Sequence, residues 1–176
     1  MSLRLFAGLE IPDAVAGPLL GLMRGVPGAS WRPRENLHIT LQFFGEMDER
    51  RAEDLDSLLA ELANTVAPLA LRLKGAGHFG GDKPTALYMG VAQDPDLIHL
   101  AQGCARAARR LGLRLPRERY LPHVTMAYLS GLDGAQGLDR VMGFVQRQAL
   151  YESAPGSAEG FGLYSSHMRK AAPSLY

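Results

Sequence analysis

Residues 36–43 divide by parity. Asn36, His38, Thr40 and Gln42 fall on one side of an extended chain; Leu37, Ile39, Leu41 and Phe43 fall on the other. A strand with one wholly apolar side must lay that side on a core, so a covered sheet runs through this point. The opposite side sets a histidine beside a threonine. The pattern returns at 123–126, where His123 and Thr125 share a side and Val124 and Met126 take the other. With 5 His and four Thr in 176 residues, one His-x-Thr is expected by chance about 0.1 times, so a pair is rare. Arg32 and Arg34 stand six and four residues before His38, and Arg117 and Arg119 stand six and four before His123. The two copies lie nearly half the chain apart. This matched pair points to an internal duplication, each half lending one strand to a shared site.

Two imidazoles facing one cleft can move protons in both directions, because an ordinary pKa of ~6.5 allows one neutral and one protonated ring near neutrality. Two threonine hydroxyls beside them can donate to the non-bridging oxygens of an anion. That set suits phosphoryl chemistry with no metal and no cofactor. A zinc site would need a third ligand at suitable spacing, and the chain has no His-x-His pair to begin one. Its one cysteine, Cys104, excludes an internal disulfide and a Cys-rich metal site.

The rest of the chain alternates short apolar segments with amphipathic ones. Strands are expected at Leu3–Leu9, Leu37–Phe44, Leu69–Leu73, Thr85–Val91, Tyr120–Leu129, Leu150–Ser153 and Phe161–Ser165. Helices are expected from Pro12 to Arg24, from Glu49 to Val66 behind an Asp48 cap, from Pro95 to Leu111 and over Leu138–Phe144. Trp31 to Asn36 reads as a polar loop. The order lacks a strict βαβα rhythm, so the class is α+β, and residues 1–176 read as one domain. Gly75 to Gly80 matches a dinucleotide fingerprint in form. Gly81-Asp82-Lys83-Pro84 follows, so no helix N-terminus awaits a pyrophosphate, and the segment reads as a loop at the cleft rim.

A net charge of +1 gives no global field for duplex nucleic acid. Sixteen of the 19 basic residues are arginine, which suits bidentate phosphate contacts. No apolar run approaches the ~18 residues of a membrane span. The opening MSLRLFAGLEIP meets proline before a signal-peptide core could form, so a soluble, cytoplasmic protein is expected, working as a monomer.

LHITLQFFGE and LPHVTMAYL resemble the paired HxTx signatures of the 2H phosphoesterases, in the branch of RNA 2′,3′-cyclic phosphodiesterases, also called 2′-5′ RNA ligases. The resemblance extends to RLFAGLEIP, to Trp31 and to the LYES…GFGLYSS region. It implies a bilobal α+β fold, with two small antiparallel sheets related by a pseudo-twofold, helices outside and a central cleft. Each lobe of that single 2H domain would carry one HxTx motif. It implies opening of a 2′,3′-cyclic phosphate at an RNA end or nucleotide to a 2′-phosphate, and possible ligation in reverse. It implies His38 as proton donor, His123 as proton acceptor, and Thr40 and Thr125 as phosphate ligands. The family's second motif often carries a basic residue three after its threonine. Here that position is Tyr128, so an arginine from elsewhere would have to make the contact.

Arg32, Arg34, Arg117 and Arg119 are the candidates for substrate contact. Trp31, Phe43, Phe44 and Tyr128 could stack a terminal base. Parity sends Phe43 to the core and Phe44 to the side of His38, which favours Phe44 together with Tyr128. His99 and His167 read as surface residues. Two alternatives stay open: a nucleotide- or RNA-end-binding protein with little turnover, and a phosphodiesterase for a cyclic phosphate outside RNA.

Overall fold

The computed structural model describes residues 3–116, 119–130, 135–165 and 174–175. Its strands are β1 (Leu3–Glu10), β2 (Ser30–Trp31), β3 (His38–Met47), β4 (Leu69–Leu71), β5 (Leu73–Phe79), β6 (Ala86–Val91), β7 (His123–Tyr128), β8 (Gly156–Ala158), β9 (Gly162–Ser165) and β10 (Ser174–Leu175). Its helices are α1 (Asp13–Leu22), α2 (Glu49–Ala63), α3 (Pro95–Arg110) and α4 (Ala135–Arg147), with a single 3₁₀ turn at Arg34–Asn36.

The class is α+β. The main sheet runs β10-β9-β1-β3-β7-β6-β5, and every pairing in it is antiparallel. It falls into two halves, β10-β9-β1-β3 and β7-β6-β5. Among the described residues they meet through one register pair, Ile39↔Val124. A second, two-stranded sheet pairs β4 with β8.

One face of the main sheet is core. Leu5, Ala7, Leu9, Ile39, Leu41, Leu87, Met89 and Val124 are all buried on it. Helices α2 and α3 pack against β1 and β3, and α4 packs against β5. Leu55 and Leu59 of α2 and Leu97, Leu100 and Cys104 of α3 recur at helical spacing and are fully or nearly fully buried. The Asp48 carboxylate accepts from the backbone N–H of Arg51, and that of Asp94 accepts from Asp96 and Leu97, so both helix starts are capped by the residue before the first turn.

Several expectations change. The Gly75–Gly80 segment is strand to Phe79, not a loop, because β6 supplies a ladder for it. Gly77 is required there: a Cβ on it would lie 2.4 Å from the Tyr88 ring. Gly80, at φ +100, turns the chain towards β6, and a side chain there would run into the Lys83 carbonyl. The strand expected at Leu150–Ser153 reduces to one bridge, Lys74↔Glu152. A strand forms instead at Gly156–Ala158, where β4 offers an edge. Helix α4 is longer than Leu138–Phe144 at both ends. His99 is exposed as expected, and His167 lies outside the described residues.

Candidate active site

The face of the main sheet opposite the core carries both histidines. Antiparallel continuation from Ile39↔Val124 sets the His38 position across from Thr125 and the Thr40 position across from His123. The four residues thus form a two-by-two array on adjacent strands. The hydroxyl of Tyr120 donates to the Thr40 carbonyl at 3.1 Å, which ties the approach to β7 onto β3.

Each imidazole is held the same way. The Nδ1–H of His38 donates to the Asn36 carbonyl at 2.8 Å, and the Nδ1–H of His123 donates to the Leu121 carbonyl at 2.7 Å. A carbonyl can only accept, so the proton of each neutral ring resides on Nδ1. Nε2 is left away from the backbone, able to accept a proton or, once charged, to donate one. No side-chain hydrogen bond occupies either threonine hydroxyl among the described residues.

His38 titrates below the ordinary imidazole value of 6.5. Burial is the main cause, since it penalises the charged ring. The Asn36 carbonyl opposes this, and the positive charges of Arg32 and His123 add to it. The effect of Arg32 and His123 places both within electrostatic reach of His38.

Aromatic rings surround the pair. Phe6 lies 5.0 Å from the His38 ring, 5.5 Å from Phe43 and 5.3 Å from Tyr164, centroid to centroid. On the other half Phe79 meets His123 at 4.9 Å and Tyr88 meets it at 5.3 Å, both edge-on. Gly8, opposite Thr40, lets the rings pack close to β1: a Cβ there would lie 3.3 Å from Phe6 and 3.6 Å from His38.

Strand alternation is reset just after the threonine in each motif strand, and β3 has a further shift at Phe44. In β3 the register passes from Gly8↔Thr40 to Ala7↔Gln42, which makes Leu41 an extra residue. In β7 it passes from Tyr88↔Thr125 to Leu87↔Ala127, which makes Met126 the extra residue. Both bulges sit three residues after the histidine, and both rotate the residue five after it onto the histidine face. Those residues are Phe43 and Tyr128, 54% and 48% exposed.

The parity expectation for the phenylalanines is therefore reversed. Phe44 is 6% exposed in the core and cannot stack a base, while Phe43 faces out beside the site. Unbroken alternation in the sequence hid this; the matching offset of Tyr128 from His123 was the signal that could have found it. Trp31 is also withdrawn from the site, since its ring packs against Phe144 at 5.8 Å.

The arginines separate. The backbone N–H of Arg32 extends the β2–β7 ladder by donating to Met126, and its guanidinium sits 5.3 Å from the centroid of the Tyr128 ring. An arginine from outside β7 thus stands over the position that Tyr128 occupies. Arg34 turns away: it donates to the Ile11 carbonyl at 2.8 Å and pairs with Asp13 at 2.6 Å, so its guanidinium is engaged in holding the β1–α1 corner. Arg119 is exposed, and Arg117 lies outside the described residues. Among the described residues no three His, Cys, Asp or Glu side chains converge as a metal ion would require. None of the described helices is long and apolar enough to cross a membrane.

Comparison with known proteins identifies the family and the fold. The family model of the 2′-5′ RNA ligase superfamily matches residues 11–166. An RNA 2′,3′-cyclic phosphodiesterase of Archaeoglobus fulgidus is 30% identical over 70% of this chain and 71% of its own. A protein of the same name from Bacillus subtilis is 27% identical over 94% of this chain and 89% of its own. Among solved structures, TT0787 of Thermus thermophilus superposes with a TM-score of 0.78 at 24% identity, covering 99% of this chain and 94% of that one. E. coli LigT complexed with 3′-AMP gives 0.73 at 19% identity, covering 100% and 95%. The fold is thus that of solved structures, and this chain belongs to the 2′-5′ RNA ligase superfamily.

Proposed function

We propose that this protein is an RNA 2′,3′-cyclic phosphodiesterase that opens the cyclic phosphate at an RNA 3′ end, or on a nucleotide, to a 2′-phosphate. The observation that carries the reading is the matched pair of Nδ1–H···O=C bonds, which leaves an Nε2 free on each of two histidines over one face of the sheet. Relatives at 27–30% identity that bear this name support the substrate class.

In this reading His123 Nε2 takes a proton from water. The hydroxide so formed attacks phosphorus in line with the P–O3′ bond, which breaks. Protonated His38 gives its Nε2 proton to O3′, leaving a 3′-hydroxyl and a 2′-phosphate. Water is added overall, and the two imidazoles return to their starting states by exchange with solvent. Thr40 and Thr125 donate to the non-bridging oxygens. Burial favours neutral His38 in the free protein, and the bound phosphate anion offsets that by favouring the imidazolium. All the groups required are side chains of the chain, so turnover proceeds without a metal. In the ligating direction the two roles exchange.

The test is hydrolysis of 2′,3′-cyclic AMP in excess chelator, followed by phosphorus NMR. A 2′-phosphate is expected. Production of the 3′-phosphate would reverse the donor and acceptor assignments, and loss of turnover on chelation, restored by a divalent ion, would remove the acid–base mechanism.

A further inference from the structure

We propose that Tyr120 is a positioning residue for His123: its hydroxyl, bonded to the Thr40 carbonyl, holds in place the Leu121 peptide whose own carbonyl orients the imidazole. The role rests on the phosphodiesterase reading and deepens it.

Each histidine needs a fixed carbonyl to keep its proton on Nδ1 and to aim Nε2. The two motifs fix that carbonyl by different means. Asn36, which serves His38, belongs to the 3₁₀ turn Arg34–Asn36. The backbone N–H of Asn36 donates to Pro33 at 3.0 Å and that of Leu37 donates to Arg34 at 3.1 Å, so the turn holds itself. Leu121, which serves His123, has no such support: residues 119–122 form neither helix nor strand. Its side chain is 46% exposed, so packing does not hold it either.

Leu121 stands instead between two anchors. On one side the Pro122 carbonyl accepts from the Val91 backbone N–H at 3.0 Å, which ties the chain to β6. On the other side the Tyr120 hydroxyl donates to Thr40 at 3.1 Å, which ties the chain to β3. With both neighbours fixed, the peptide between them has little freedom to rotate. The Tyr120 ring is packed against the core. Burial, with a smaller push from Cys104 of α3, holds its hydroxyl well above the usual phenol value. It therefore stays protonated, and a donor, wherever the histidines titrate.

The Tyr120 bond also crosses between the two halves of the site. It lands on a threonine of the opposite motif and adds a side-chain tie to the register pair Ile39↔Val124. The place of His123 is thus set directly against Thr40. Proton transfer in line with a breaking bond needs the base and the phosphate ligands in one frame, and a misplacement of about 1 Å can cost ~10²-fold in rate.

The experiment is Tyr120→Phe, which keeps the ring and removes the bond. It is read by kinetics on 2′,3′-cyclic AMP and by nitrogen-15 NMR of the histidine side chains in the free protein, which separates the Nδ1–H tautomer from the Nε2–H tautomer. kcat should fall ~10–100-fold with KM nearly unchanged. Neutral His123 should pass from Nδ1–H to a mixture of tautomers, while His38, held by its own turn, keeps Nδ1–H. Either readout left at its wild-type value would overturn the assignment. So would an equal disturbance of His38, which would mark a general loosening of the sheet. Circular dichroism checks the fold, and a variant that does not fold rejects the assignment, because the hydroxyl would then serve the whole structure. If the wild-type protein does not turn over the nucleotide, the phosphodiesterase reading fails by itself. The tautomer populations need no substrate and still decide the role of Tyr120: an unchanged His123 rejects it.

Discussion

Ile39 of β3 stands opposite Val124 of β7, and among the described residues this is the register pair that joins the two halves of the main sheet. Both side chains are fully buried on the core face. Turning them inward is what turns His38, Thr40, His123 and Thr125 outward together. The apolar residue between histidine and threonine in each motif is thus a hinge pin for the site as well as core.

Ile39→Ala should therefore destabilise the fold by about 2–5 kcal/mol, the range for deleting a fully buried aliphatic side chain. Ile39→Val should cost about 0.5–1.5 kcal/mol. Urea denaturation followed by circular dichroism measures both. A loss under about 1 kcal/mol for the alanine variant would mean the junction collapses freely and does not pin the halves.

His38 gives a pH dependence with a definite sign. Its folded pKa is depressed below 6.5, so the unfolded chain binds more protons in the interval between the two values. The contribution to stability is fully present above pH 6.5 and is lost as pH falls through the folded pKa. In proton NMR the His38 Cε1–H should titrate below 6.5 in the free protein and move up when 2′-AMP binds. Titration at or above 6.5 without ligand would contradict the dominance of burial.

Removing either imidazole should cost rate by about 10²–10⁴, the usual size for positioned acid–base groups. The double variant His38→Ala/His123→Ala should be scarcely worse than the singles, because the two act as a unit. Thr40→Ala and Thr125→Ala each remove one donor to the phosphate and should cost less. Wild-type kcat/KM should be bell-shaped in pH, and each single histidine variant should lose one limb. Additive losses would show that the rings act in separate steps.

Arg32 and Arg34 should behave differently despite their spacing. Arg32→Ala removes a positive charge acting on His38, so the His38 midpoint should rise while affinity for inorganic phosphate falls. Arg34→Ala breaks a solvent-exposed ion pair with Asp13, worth about 0–1 kcal/mol, and should leave the His38 titration where it is. Phosphate titration by chemical-shift change on both variants reads the contrast. A shift of His38 in Arg34→Ala equal to that in Arg32→Ala would erase the distinction.

What the sequence alone determined is local and periodic. The alternation at 36–41 and 123–126 marks two strands with a histidine–threonine face, because side chains alternate on any extended chain. Asp48 and Asp94 mark helix starts, because their carboxylates meet backbone N–H groups two or three residues on. The spacing of Leu55 and Leu59 marks a buried helix face. Tertiary structure decided the rest. The bulges at Leu41 and Met126 arise from register with β1 and β6, and no property of Phe43 or Phe44 alone says which of them turns outward. Gly75–Phe79 became a strand because Tyr88 needed the space at Gly77 and β6 supplied the hydrogen bonds. Arg32 reached Tyr128 because β2 pairs with β7 from nearly a hundred residues away. Periodicity is a property of a segment and can be read from it; register and partner choice depend on a second segment, and only packing brings the two together.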